Sequence, residues 1–114
     1  SHPYAAGVRW DLDMSKAKGQ RFTNVQVRNK TTGAWAPIDL TKTYVLVTND
    51  FIAAGQDGYT TLGAVYKTGA YVNTYLLYTQ SFVDYVKAKG TIARPAAADY
   101  SHQKVISKAG NALP

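Results

Sequence analysis

A chain of 114 residues, 46% of them hydrophobic, suffices for one ordinary domain and leaves no room for a second. Cysteine is absent, which excludes disulfides, thiolate metal sites and a cysteine nucleophile, and no apolar run approaches the roughly 20 residues of a membrane-spanning helix. The net charge is +6 and all seven acidic residues are Asp, so acid-base chemistry has only those seven carboxylates and two histidines to draw on.

The first element, Val8-Arg9-Trp10-Asp11-Leu12-Asp13, alternates apolar and charged side chains, the period of a half-buried strand with Val8, Trp10 and Leu12 facing in. A polar stretch from Met14 to Arg21 leads to Phe22-Thr23-Asn24-Val25-Gln26-Val27-Arg28, where Val25 and Val27 again alternate with polar neighbours. The two read as an antiparallel pair around a basic loop. Asn29 to Gly33 is a turn, and Ala34 to Ile38 a short segment that Pro37 confines to a sheet edge. After a third turn, Asp39 to Thr43, the apolar run Tyr44-Val45-Leu46-Val47 is predicted to be a core strand. Thr60 to Ala70, with Gly63 and Gly69, reads as a partly irregular connection.

A helix is predicted over Thr74 to Lys89, capped by Asn73 or Thr74, with Tyr75, Tyr78, Phe82 and Val86 at helical spacing and Gly90 as its stop. Its broad apolar face is expected to be buried against the sheet. Thr91 to Asp99 is a loop, and Lys104-Val105-Ile106 a last short strand. The expected organisation is an α+β fold, a single domain over 1–107 with a mixed β-sheet and flanking helices, followed by a frayed tail over 108–114. Met14 is the lone methionine, so the expectation is a chain processed or cut from a longer protein.

Chemistry concentrates in Thr48-Asn49-Asp50-Phe51-Ile52-Ala53-Ala54-Gly55-Gln56-Asp57-Gly58-Tyr59. Two readings of these residues stand side by side. In one, a glycine-punctuated corner after a buried strand presents an aromatic plate, Phe51, and a carboxylate, Asp57, to a flat ring with a hydroxylated attachment. In the other, Thr48, Asn49 or Asp50 caps a one-turn helix that Gly55 ends. Elsewhere the bland readings dominate. His2 and His102 each stand alone, Asp11 and Asp13 read as a solvated pair on a strand's polar face, and Ser81 reads as a helix filler. Lys16, Lys18, Arg21, Arg28 and Lys30 cluster around the first hairpin, and with nine tyrosines in the chain they keep a single-stranded nucleic-acid platform as the alternative function. The scatter of the other cations and the lack of an RNA-binding signature disfavour it.

The run from Thr48 to Tyr59 closely resembles the T-N-D-F-[LI]-A-x-G-G-D-G-[YF] signature of the C-terminal, substrate-binding domain of 5′-nucleotidases, the family that includes UDP-sugar hydrolases and cyclic-nucleotide phosphodiesterases. Pro37-Ile38-Asp39-Leu40-Thr41-Lys42-Thr43-Tyr44, Gly7-Val8-Arg9-Trp10-Asp11 and Phe82-Val83-Asp84-Tyr85-Val86 are similar to flanking segments of the same domain, so the resemblance covers Tyr4 to Ile106. It implies that Phe51 stacks on a nucleobase, that Asp57 accepts hydrogen bonds from ribose hydroxyls, and that Gly55, Gly58 and Asn49 shape the same substrate site. It also implies a periplasmic or extracellular parent enzyme whose N-terminal metallophosphatase domain carries two divalent metal ions. The present chain then binds the nucleotide, holds no metal or other cofactor and contributes no catalytic residue; neither membrane nor nucleic acid is its expected partner. Gln56 departs from the signature, which has a second glycine there, so either that backbone position does without a positive φ or the turn differs.

Overall fold

The computed structural model of the chain describes residues 2–114 and divides into two compact units, one formed by His2–Thr43 with Arg94–Pro114 and the other by Tyr44–Ala93. The first unit is a five-stranded mixed sheet and the second carries the helices, in agreement with the expected α+β class. No helix among the described residues is long and apolar enough to cross a membrane.

In the sheet unit, β1 (Val8–Asp13) is central, pairing antiparallel with β2 (Phe22–Arg28) and parallel with β4 (His102–Ile106). Strands β3 (Trp35–Pro37) and β5 (Ala112–Leu113) close the two edges, for an order β3-β2-β1-β4-β5. The period-two pattern of β1 is realised: Trp10 and Leu12 are 6% and 5% exposed and form the buried apolar core, with the Phe22 ring edge-on to Trp10 at 5.7 Å. Pro37 lies on an edge strand, where its missing N–H costs no ladder bond.

The tail departs from the expected fraying. Ser107 N–H donates to Asn111 O at 2.8 Å and turns the chain back, so that Val105 and Ile106 pair with Leu113 and Ala112. Backbone pairing, which needs no apolar side chain, supplies the order that composition does not signal.

Both flanks of β1 carry a bulge, and one side chain serves both. Between Arg9 and Asp11 the partner strand advances from Gln26 to Thr23, and between Trp10 and Leu12 the other partner advances from His102 to Val105. Each neighbour therefore has one residue in excess. The Asp11 carboxylate fills the two gaps, accepting from Asn24 Nδ2 at 3.3 Å and from Lys104 N at 3.2 Å, while Asn24 takes φ 50°. Asp13 accepts from the Ser15 hydroxyl at 2.6 Å and from Ser15 N at 3.0 Å. The two carboxylates, at solvent-accessible positions, thus also serve as acceptors that fit the strands together.

In the helical unit, α1 (Asp50–Ala53), α2 (Thr60–Lys67) and α3 (Tyr78–Lys89) follow in order. Four expectations are corrected here. Tyr44–Val47 forms no strand, and Val45 and Val47 are 92% and 89% exposed, because β-propensity does not replace a pairing partner for the backbone. Thr60–Ala70 contains the helix α2 in place of an irregular connection; Gly63 resembles a breaker but is retained for close packing, described below. The last helix begins at Tyr78, later than expected, because Asn73 Oδ1 accepts from Tyr75 N and Thr74 Oγ1 from Leu76 N. Those bonds make turns that compete with a cap, and Tyr75 adopts φ 55°. Gly90 ends α3 at φ 77° as expected, with Lys87 and Lys89 in the last turn. Its apolar face, expected to be covered, is open: Tyr78, Phe82 and Tyr85 are each more than half exposed.

Candidate functional site

The stretch from Asn49 to Tyr59 is shaped by three local devices. Asn49, with φ −79° and ψ 165°, is the N-cap of α1, its side-chain oxygen accepting from Ile52 N at 2.8 Å. That bond satisfies one of the first-turn amides, which have no partner inside so short a helix. At the other end Gly55 N–H donates to Ile52 O at 3.0 Å, and Gly55 itself takes φ 92°, the left-handed stop that the sequence predicts.

The second device is a backbone-to-backbone approach. A Cβ placed on Gly55 would lie 2.8 Å from Gly63 Cα, and one placed on Gly63 would lie 2.9 Å from Gly55 Cα. Only a pair of glycines lets the end of α1 lie this close to the middle of α2, and Gly63 N–H secures the approach by donating to Tyr59 O at 3.1 Å. Gly63 is the one residue of α2 that is buried.

The third device is the corner itself. Asp57 has φ 56° and ψ 25° and Gly58 φ 83°, a left-handed turn that Asp tolerates better than most side chains. Gln56 is not among the residues with positive φ, so a side chain is admitted at the position where the signature carries a second glycine. The result leaves Phe51 54% exposed at the first turn of α1 and Asp57 exposed at the corner. An exposed ring on a capped helical turn and an exposed carboxylate on a conformationally special corner are suited to stacking and to accepting hydroxyl hydrogen bonds, respectively. The two original readings of this stretch are therefore compatible: the cap and stop are real, and they present the aromatic and the carboxylate.

Two neighbouring features escaped the sequence reading. Tyr66 and Tyr71 stack face to face at 4.2 Å with 12° between their planes, and the side-chain hydrogen bond they share holds the Tyr66 hydroxyl above its usual range. A cavity of about 230 Å³ lies on the α2 side of the corner, lined by Gly55, Thr60, Gly63 and Lys67 among others; Phe51 and Asp57 are not in its lining. No group of three or more His, Cys, Asp or Glu side chains that could hold a metal ion occurs among the described residues. Ser81 donates its hydroxyl to Leu77 O at 3.0 Å, the filler role expected of it. His2 and His102, by contrast, do not stand alone: their ring centroids are 6.2 Å apart within one aromatic cluster.

The chain is similar in sequence to known proteins. Residues 1–64, a span that includes the whole corner, match the family described as 5′-nucleotidase, C-terminal domain. The NAD 5′-nucleotidase of Haemophilus influenzae is 41% identical over 88 residues, which are 75% of this chain and 15% of that protein. A probable 5′-nucleotidase of Treponema pallidum is 38% identical over 87 residues, 75% of this chain and 14% of that protein. The chain thus spans only about one seventh of the length of these relatives. No solved structure matches. With more than half of its residues inside the match and the corner motif within it, the chain belongs to the 5′-nucleotidase C-terminal domain family.

Proposed function

We propose that the Asn49–Tyr59 corner is the nucleoside-binding element of a 5′-nucleotidase-type hydrolase. Phe51 stacks on the base, Asp57 accepts hydrogen bonds from ribose hydroxyls, Gly55 and Gly58 hold the corner, and Asn49 fixes the helical turn that carries Phe51. The observation that carries this reading is the joint exposure of Phe51 and Asp57 on a corner whose backbone is set by a cap, a left-handed stop and the Gly55–Gly63 approach. The similarity to proteins named as 5′-nucleotidases supports a nucleotide as the ligand class.

In this reading the chain orients substrate and breaks no bond. Hydrolysis belongs to a metallophosphatase domain of the parent protein, carrying two divalent metal ions, in a periplasmic or extracellular setting. The described residues of this chain offer no ligand cluster for such ions, and none of its side chains is assigned a step in the chemistry. Its contribution is positional, because holding the nucleoside fixes where the phosphate lies.

The test is calorimetric titration of the chain with AMP and with NAD. Phe51→Ala is expected to weaken binding about tenfold or more, since aromatic stacking on a base is worth roughly 1–3 kcal/mol, and Asp57→Asn to weaken it less. Equal affinity for wild type and Phe51→Ala overturns the assignment. Turnover of either nucleotide by the pure chain with added divalent metal would overturn the division of labour.

A further inference from the structure

We infer that the sheet unit carries a second ligand site, sharing no residue with the Asn49–Tyr59 corner, that takes a small planar anion: a flat ring bearing a phosphate or carboxylate group. The site is a cavity of about 420 Å³ whose walls include Tyr4, Arg94, Pro95, Tyr100, Ser101 and His102. That volume falls at the small-molecule end of the range for ligand pockets, roughly 300–1,000 Å³.

Its walls are aromatic on one side. The His102 ring lies 5.7 Å from Tyr100 and 6.2 Å from Tyr4, and His2 packs on Tyr4 at 5.0 Å. Tyr4 is nevertheless 79% exposed, so the cluster leaves ring surface uncovered at the cavity mouth. Ring faces of this kind hold a flat partner by offset or edge contacts.

The charges in the wall are unequal in their commitments. Asp99 accepts from Trp35 Nε1 at 3.2 Å and lies 4.0 Å from the Arg28 guanidinium, so its negative charge is answered within the protein. Arg94 has no ion pair among the described residues, and its guanidinium presents a planar fork suited to phosphate or carboxylate. His102 Nδ1 is buried with no hydrogen-bond partner among the described residues. Buried polar atoms are nearly always paired, so this nitrogen is a hydrogen-bonding group in want of a partner, on a residue of the cavity wall.

The wall is also fixed before any ligand arrives. Gln103 Nε2 donates to Tyr100 O at 2.8 Å and to Ala97 O at 3.0 Å, and Arg9 Nη1 donates to Ala98 O while its guanidinium lies 4.4 Å over the Trp35 ring. Trp10 N–H donates to Ser101 O at 2.8 Å. A preformed wall loses little ordering entropy on binding. The combination of open ring faces, an uncommitted guanidinium and an unpartnered buried nitrogen selects a ligand with both a ring and an anionic group. Inorganic phosphate lacks the first and phenol lacks the second.

The test is NMR titration of the whole chain with phenyl phosphate, with inorganic phosphate and phenol as separate probes. Phenyl phosphate is expected to shift Tyr4, Tyr100 and His102 resonances saturably, with each half-ligand at least about tenfold weaker. Arg94→Ala, at an exposed position, and His102→Phe, which keeps the ring and removes the nitrogen, are each expected to weaken phenyl phosphate about tenfold. Phe51→Ala should leave it unchanged, which separates this site from the proposed nucleoside site. Absence of saturable shifts in the wild type, equal affinity in Arg94→Ala, or binding lost in Phe51→Ala would each overturn the proposal.

Discussion

In the sheet unit Leu12 is 5% exposed and Trp10 6%, whereas in the helical unit Leu46 is 62% exposed and Val45 92%. Both pairs sit in stretches that the sequence marks as strand. The difference lies in what each stretch asks of its surroundings. An alternating strand needs ladder partners and one covered face, and β1 has a paired neighbour on each side and buries Trp10 and Leu12. A continuously apolar run such as Tyr44–Val47 needs cover on both faces and a ladder partner, and among the described residues it has no strand pairing. The helical unit instead takes its form from short-range devices: a cap, left-handed stops and one glycine-to-glycine approach. Core burial and corner geometry are therefore carried by different residues, and substitutions can test each separately.

The sharpest test uses the same substitution in both places. Leu12→Ala removes a buried side chain and is expected to lower unfolding stability by about 2–5 kcal/mol, whereas Leu46→Ala, at an exposed position, should stay within about 0.5 kcal/mol. Urea denaturation followed by circular dichroism reads both. A loss at Leu46 comparable with that at Leu12 would break the comparison.

Next in size is Gly63→Ala. Helix propensity alone predicts a gain of about 1 kcal/mol from replacing an interior glycine. The Gly55–Gly63 approach predicts the opposite sign, a net loss of about 1–3 kcal/mol, because the new methyl carbon would meet Gly55 Cα at 2.9 Å. Amide exchange at Gly55 and Gly63 should accelerate in the variant. Slower exchange with raised stability would show that the close approach does not govern the corner.

How much of this was legible in the sequence follows from the range of the interactions. The β1–β2 hairpin, the edge position of Pro37, the Asn49 cap and the Gly55 and Gly90 stops all depend on residues near one another in the chain, and all were readable. The α2 helix was missed because Gly63 carries no local sign of the glycine it packs against. The role of Asp11 was missed because a carboxylate that serves two bulges depends on register, which alternation alone does not specify. The His2–Tyr4–Tyr100–His102 cluster joins the start of the chain to a strand near its end, beyond any periodicity. Phe51 and Asp57 were singled out by local chemistry and by the resemblance, and their exposure supports the roles proposed for them.

Asp11→Ala tests the sheet side of the comparison at a smaller scale. It removes the acceptor for Asn24 Nδ2 and for Lys104 N, each net bond being worth about 0.5–1.5 kcal/mol. Amide exchange at Lys104 should rise while that at Ile52, capped by Asn49, stays unchanged. A uniform rise across both units would mean that the bulge fitting is not local.

The smallest expected effect is a titration. The Ser15 hydroxyl bond holds the Asp13 carboxyl below its ordinary value of 3.8; desolvation opposes it, and the Ser15 backbone N–H and the charge of Lys16 act in the same direction as the hydroxyl. A depressed carboxylate stabilises the folded chain at pH values above its unfolded pKa, and that contribution is lost as pH falls below 3.8 and through the folded value. Carbon-detected NMR should place the Asp13 midpoint below 3.8 in the wild type and move it up in Ser15→Ala. Because Asp13 lies at the exposed end of a strand and not in its core, the same variant should leave the burial of Trp10 and Leu12 untouched. An unshifted midpoint would mean that the Ser15 contact is too loosely held to bias the proton.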